Sequence, residues 1–373
     1  MEPGAAIYLG AAVKGYTEVG QVLEAVLKSA MKRGKKFPNL KNSKKPLRVG
    51  VIHNLKRESV NLENDDEAEF DSQATVNALC EAVGQAGFEA VPLEARPDLP
   101  SQLADIDVAF NIAEGRRGRY RESQIPALLE LLDIPFTGSE AGSLAVCHDK
   151  ALAKRLVQQA GVSTARFQVV DSPRQKVDMD FPLLVKPVAE GSSKGVALRS
   201  VVTDAESLKE AVKDVLNRYS QPALVEEFLS GREFTVGILG ERRLKVLPIL
   251  EIEFHSELEH PIYSFEHKQG NDGEVRFVVP ANVDKTLQKR LEQAAKSSFR
   301  ALGCRDVARI DFRMDAQGEI NFIECNPLPG LTPDFSDLCV IGKAAGMEYP
   351  DLVAQILKPA IRRYQTKKML QST

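Results

Sequence analysis

Arg309-Ile310-Asp311-Phe312 and Asn321-Phe322-Ile323-Glu324-Cys325-Asn326 flank the turn-forming run Asp315-Ala316-Gln317-Gly318. Side chains alternate across a strand, so Arg309 and Asp311 share one face of the first segment, and Phe322, Glu324 and Asn326 share one face of the second. The two segments predict an antiparallel hairpin. A two-residue loop at Ala316 and Gln317 sets Asp311 opposite Phe322 and Arg309 opposite Glu324, with Asp311 and Glu324 as diagonal neighbours. Two carboxylates and an amide then converge between apolar stretches, which costs free energy unless a cation compensates. The all-oxygen set Asp311, Glu324 and Asn326 suits Mg²⁺ that keeps some water and holds nucleotide phosphates. On this hairpin alone a solvated outer sheet face explains the charges equally well. The rest of the chain has to decide whether it works on ATP.

With 373 residues, 43% of them hydrophobic, the chain can bury substantial cores and predicts two or three domains. A net charge of -3 provides no basic field, which argues against nucleic acid or an anionic membrane as the main partner. The basic run from Lys32 to Lys45 is a local exception. Cys80, Cys147, Cys304, Cys325 and Cys339 are scattered without a CxxC spacing, which argues against a disulfide framework and against a zinc site. Alternation turns Cys325 away from Glu324 and Asn326, as a small buried core residue. No segment reads as a membrane span or a signal peptide, so the expected compartment is the cytoplasm.

Residues 17–33 carry Val19, Val22, Leu23, Val26 and Leu27 at helical spacing, and a basic linker follows, so 1–45 is set apart. Strand, helix, strand, strand over 47–54, 73–87, 88–94 and 106–115 predicts a parallel sheet in an α/β domain at 46–147, with function in the loops at the strand carboxyl ends. One such loop holds Arg116, Arg117, Arg119 and Arg121, whose charge alone fits a solvated face or an anion site. A second domain, 148–243, reads as a helix at 149–161, a strand, a Gly/Ser loop and a strand over 181–198, a helix at 204–218, and a strand pair around Ser230-Gly231. The third, 244–373, has two apolar strands, a long polar loop, a helix over 285–302, the hairpin and a helical end.

Lys186 ends a buried strand, and Glu190-Gly191-Ser192-Ser193-Lys194-Gly195 follows. Glycines let backbone amides curl toward an anion, hydroxyls add donors, and the lysine supplies a point charge. The loop lacks Walker spacing and precedes a strand, so it calls for a different phosphate-binding fold. Taken alone it would be an ordinary turn. Glu226 is positioned to accept from an adenine amino group or a ribose hydroxyl, with backbone near Phe228 and Leu229 reading the base edge.

Together these segments resemble the ATP-grasp superfamily and, within it, the D-alanine–D-alanine ligase family, from about Leu47 to Ala360. The resemblance is carried by PFTGSEAGSLAVCHDKALAK at 135–154, LLVKPVAEGSSKGV at 183–196, LVEEFLSGREFTVGIL at 224–239, and RIDFR through ECNPLPGLT at 309–332. It implies a three-domain ATP-grasp fold with a Rossmann-like N-terminal domain. The implied activity joins two D-alanine molecules through an acyl phosphate, with ATP and two Mg²⁺ ions, or Mn²⁺ in their place, in a cytoplasmic homodimer serving peptidoglycan synthesis. It further implies that Lys150 and Lys186 contact ATP phosphates, that Ser192 and Ser193 lie on a mobile loop, and that Glu226 and Glu233 bind adenine and ribose. Lys268 matches the lysine of a flexible active-site loop. Asp311, Glu324 and Asn326 match the metal ligands, Arg309 the arginine that stabilises the anionic intermediate, and Gly330 a backbone contact near the second substrate.

The departures lie at the substrate end. Residues 54–72 replace the family's first loop, leaving Asp65, Glu67 or Glu69 for the first substrate's amino group. Glu114 stands where a histidine is expected, Phe335 with Ser336 beside it where a serine is expected, and Gln269 where a tyrosine is expected. A ligase making another dipeptide or amide is therefore an alternative. A non-catalytic nucleotide-binding regulator is the reading from a different class, and the complete set Lys186, Arg309, Asp311, Glu324 and Asn326 argues against it.

Overall fold

The computed structural model describes residues 45–57, 67, 69–191, 194–254, 261–262 and 275–371. The expected N-terminal helix, Asp65, Ser192, Ser193, Lys268 and Gln269 lie outside the described residues. Residues 46–364 form one compact unit, and 1–45 with 365–373 form another, whose described part is mainly the end of the last helix.

Strands β1 (Arg48–His53), β2 (Glu89–Glu94) and β3 (Val108–Asn111) make the expected parallel sheet in the order β2-β1-β3. Val49, Val51 and Ile52 are wholly buried, as befits a parallel strand covered on both faces. Helix α1 (Gln73–Gln85) begins where the Ser72 side chain accepts from the Thr75 backbone N–H, and it packs Leu79 and Val83 into one core with Val49 and Phe110. Asn54 Oδ1 accepts from the Gly115 N–H at 3.0 Å, tying the loop after β1 to the loop after β3. The carboxyl ends of the parallel strands thus share one edge, where α/β sheets place their ligands.

A four-stranded antiparallel sheet contains β4 (Phe167–Val170), β5 (Leu183–Pro187), β6 (Val201–Val202) and β7 (Ala223–Glu227), in the order β4-β7-β5-β6. The helix Ala205–Tyr219, opened by a capping box between Asp204 and Ser207, covers it with Val212 and Val215. The third sheet runs β11-β10-β8-β12-β13, with β9 also paired to β8. Its strands are β8 (Glu233–Gly240), β9 (Lys245–Val246), β10 (Leu250–Phe254), β11 (Val275–Val278), β12 (Asp306–Met314) and β13 (Ile320–Asn326). Phe234, Val236, Ile310 and Phe312 pack against Leu291, Ala295 and Phe299 of the helix Lys285–Ala301. Leu239, Leu250 and Ile252 belong to the same core as Val49, Ile356 and Leu357.

Three local expectations change. The hairpin turn is longer than two residues: Asp315 Oδ1 accepts from the Gln317 and Glu319 N–H groups, and Gly318 takes a φ of +81. A bulge between Asp311 and Phe312 then resets the register, so Asp311 faces Glu324 and Arg309 faces Asn326. The carboxylates are direct cross-strand partners, closer than the diagonal pairing predicted. The strands around Ser230-Gly231 are not a hairpin, because β7 and β8 enter different sheets. Gly231 donates to the Met314 carbonyl at 2.9 Å where an added Cβ would lie 2.7 Å from that oxygen, so the link crosses tightly over the large sheet. The strand expected after the Gly/Ser loop is a 3-10 turn, Leu198–Ser200, and the two-residue β6.

Candidate active site

A cavity between the two antiparallel sheets is lined by Lys186, Glu226, Phe228, Leu229, Glu233 and Asp311, among others. On one wall the Glu226 carboxylate lies 2.6 Å from Lys186 Nζ and 2.9 Å from Lys154 Nζ. All three are nearly sealed, at 4%, 3% and 1% exposure for Glu226, Lys186 and Lys154. Lys154 also donates to Thr164 Oγ1 at 2.6 Å. Burial alone would raise the Glu226 carboxyl, yet Lys154 and Lys186 together hold it at about 2. Two ammonium groups against one carboxylate leave this wall with excess positive charge, which suits a polyanion. Glu226 was expected to meet adenine or ribose; both of its oxygens face lysines here. Lys154 was missed, although it lies one helical turn after Lys150 in the helix Lys150–Gln159, on the same face.

Glu226→Ala should strand two buried ammonium groups and lower unfolding free energy by about 3–5 kcal/mol in denaturant titration. The depressed carboxyl stabilises the fold above the ordinary carboxylate range, and that contribution disappears as pH falls toward 2. An unchanged midpoint in the variant would contradict the pairing.

Opposite the lysines stand the hairpin residues. Arg309 Nε and Nη2 donate to the two oxygens of Asp311 at 3.2 and 2.9 Å, and Nη1 donates to Asp337 at 2.8 Å. Thr235 Oγ1 donates to Asp311 at 2.9 Å, and Asn326 Nδ2 donates to it at 3.1 Å. Glu324 pairs with Lys150 Nζ at 3.0 Å, and that ammonium also donates to the Glu190 carbonyl. Burial works against the charge of Arg309, but Asp311 and Asp337 keep it firmly cationic. Asp311 is raised by burial, and Glu324 across the hairpin adds to the rise against the pull of Arg309. Two crowded carboxylates and an amide whose oxygen remains an acceptor form a hard, all-oxygen donor set, which fits a divalent cation such as Mg²⁺. Glu233, also expected at the nucleotide, pairs with Arg313 at 3.2 Å, whose guanidinium stacks 5.2 Å from the Phe228 ring.

A second cavity of ≈ 350 Å³ adjoins the first and contains Glu69, Glu114, His148, Gly330, Phe335 and Ser336 in its lining. Lys150, Glu190, Arg309 and Glu324 border both cavities. Of the candidate amino-group partners, Glu69 lies on this cavity, whereas Glu67 accepts from the Arg57 backbone N–H at 2.9 Å. Glu69 also pairs with Arg121 at 2.5 Å, and Arg121 and Lys194 meet Glu190 at 3.2 and 3.1 Å. A Cβ at Gly191 would sit 2.1 Å from Glu69 Oε1, so any larger residue there would have to displace that carboxylate. The arginine-rich loop is therefore divided: Arg116 and Arg117 are exposed, Arg119 binds Asp149 at 2.5 Å, and Arg121 is buried. Glu114 is pushed well up by burial, with Glu69 and Glu122 adding to it. His148 Nδ1 pairs with Glu122 at 2.5 Å. Phe335, at 62% exposure, lies at the cavity, and Ser336 Oγ accepts from the Thr332 N–H at 3.0 Å.

Burial raises Asp71, another residue of this cavity, to about 7. A carboxyl raised in the folded state stabilises below its ordinary value near 3.8, and that contribution is lost as pH climbs through 7. Asp71→Asn is expected to flatten thermal stability between pH 4 and 7 relative to the parent, read by scanning calorimetry at constant ionic strength.

Distant cysteines also converge. Cys147, Cys304 and Cys325 are buried with their sulfur atoms all within 4.8 Å of one another, a grouping that their sequence spacing concealed. Among the described residues no helix is long and apolar enough to cross a membrane.

Residues 156–358 match the family model for the D-ala D-ala ligase C-terminus. A D-alanine–D-alanine ligase of Aquifex aeolicus is 34% identical over 292 residues, covering 77% of this chain and 94% of the relative. That of Geobacter sulfurreducens is 35% identical over 77% of this chain and 88% of its own length. An uncharacterized protein, y4sG, of Sinorhizobium fredii is 36% identical over 69% of this chain and 75% of its own. Among solved structures, the Bacillus anthracis D-alanine–D-alanine ligase complexed with ATP superposes with a TM-score of 0.68 at 25% identity, covering 86% of this chain and 99% of that one.

Proposed function

The chain belongs to the D-alanine–D-alanine ligase family, and from that premise we propose that it joins two D-alanine molecules with conversion of ATP to ADP and phosphate. The observation that carries the reading is the shared border: Lys150, Glu190, Arg309 and Glu324 touch both the lysine-walled cavity and the carboxylate-rich one. A phosphoryl donor in the first and an amino acid in the second would meet at those residues.

Lys154, Lys186 and Lys150 bind and orient the ATP phosphates, and Phe228, Leu229, Glu226 and Glu233 surround the nucleoside. Ser192, Ser193 and Lys268 join this set on the strength of their matching motif positions. Asp311, Glu324 and Asn326 would hold Mg²⁺, which when bound offsets the negative charge of the transferring phosphoryl group. The first D-alanine offers its carboxylate to the γ-phosphorus, forming an acyl phosphate and releasing ADP. Glu69 receives its ammonium group. The second D-alanine gives one ammonium proton to solvent and attacks the acyl carbon as the free amine, a second proton passes from the nitrogen to solvent, and Arg309 with the backbone at Gly330 stabilises the tetrahedral oxyanion until phosphate departs. Asp337 and Asp311 fix the guanidinium plane, so little reorganisation is needed as that charge develops.

On this reading 46–147 binds substrate, 148–243 and 244–373 grip the nucleotide, and the enzyme works in the cytoplasm as a homodimer. Glu114 and the exposed Phe335 at this cavity favour a second reading, a related ligase that makes another dipeptide or amide. Phosphate release and mass spectrometry of products, with Mg²⁺-ATP and single or mixed amino acids, test both. D-alanine-dependent release with dipeptide supports the first, a different conjugate supports the second, and release that ignores every amino acid contradicts both.

A further inference from the structure

Three thiols meet behind the catalytic hairpin. Cys147 lies in the helix Ala141–His148, Cys304 shortly before β12, and Cys325 in β13 between Glu324 and Asn326. Sγ of Cys304 stands 3.8 Å from that of Cys147 and 3.7 Å from that of Cys325, and all three lie within 4.8 Å. A tetrahedral ion with metal–sulfur bonds of about 2.3 Å keeps its sulfur ligands about 3.8 Å apart. Two of the three observed edges already have nearly that length, and the third, between Cys147 and Cys325, is no longer than 4.8 Å. Cys147 and Cys325 belong to the lining of the ≈ 350 Å³ cavity while all three cysteines are buried, so the cluster lies just beneath the cavity's floor.

We propose that Cys147, Cys304 and Cys325 form a three-thiolate site for one thiophilic divalent cation of the zinc class, on the opposite side of β13 from the oxygen ligands. Ligand softness keeps the two sites distinct: Mg²⁺ prefers the carboxylates and amide, whereas zinc and cadmium take the sulfurs. Each thiol that becomes a ligand gives its proton to solvent as the metal–sulfur bond forms. An ion there ties the helix before Lys150 to the strand bearing Glu324, so it would brace the residues that border both cavities.

Titration of the reduced full-length chain with Cd²⁺ in excess Mg²⁺, followed by ultraviolet thiolate-to-cadmium charge-transfer absorption, tests this site without reference to turnover. The band should saturate at one equivalent and be erased by Zn²⁺. C304A and C147A should each lose it, whereas C80A and C339A should keep it; circular dichroism checks that every variant is folded. Absence of the band in the parent chain would mean that the thiols pack as small apolar groups, and would overturn the proposal. So would a band unchanged in a folded C304A variant.

Discussion

Arg309→Ala is expected to lower kcat by about 10²–10³-fold, the range for removing one donor from an oxyanion site, while changing ATP affinity far less. The guanidinium bonds to Asp311 and Asp337, at the border of the two cavities, and not to the lysine wall that faces the phosphates. Arg309→Lys should rescue little, because one ammonium cannot reproduce a planar fork that spans two carboxylates. Steady-state rates at saturating ATP, set beside calorimetric ATP binding, separate the two quantities. Equal losses in both would make Arg309 a nucleotide ligand, and an unchanged rate would remove it from the mechanism.

Glu324→Ala removes the carboxylate that faces Asp311 across the hairpin and the partner of Lys150 at 3.0 Å. Several kcal/mol of charge stabilisation is at stake when a metal-bound phosphoryl transfer loses a ligand. At about 1.4 kcal/mol per tenfold, this corresponds to a fall in turnover of about 10²–10⁴-fold. Glu324→Gln keeps the shape and loses the charge, so its half-saturating Mg²⁺ concentration should rise steeply even where some activity survives. A magnesium dependence identical to the parent in both variants would refute the ligand assignment.

The hairpin was legible because alternation is a local property, and its residues recur in motif order with the rest of the family resemblance. Its register was not, because the bulge at Asp311 and Phe312 depends on how β12 settles against two neighbours at once. Glu226 shows the same limit: its strand could be read from sequence, but Lys154 arrives from a helix and Lys186 from a neighbouring strand. Arg121 looked like any other member of a solvated run until Glu69 and Glu190 folded around it. The thiol cluster was the least legible feature, since residues 147, 304 and 325 approach only when three separate elements pack together.

The most direct test of acyl-phosphate chemistry supplies Mg²⁺-ATP and D-alanine carrying ¹⁸O in its carboxylate, then analyses dipeptide and phosphate by mass spectrometry. Transfer through an acyl phosphate predicts D-alanyl-D-alanine and phosphate in equal amounts, with one carboxylate oxygen now in the phosphate. Dipeptide formed with unlabelled phosphate, or phosphate released with no amide product from any amino acid offered, would contradict the account.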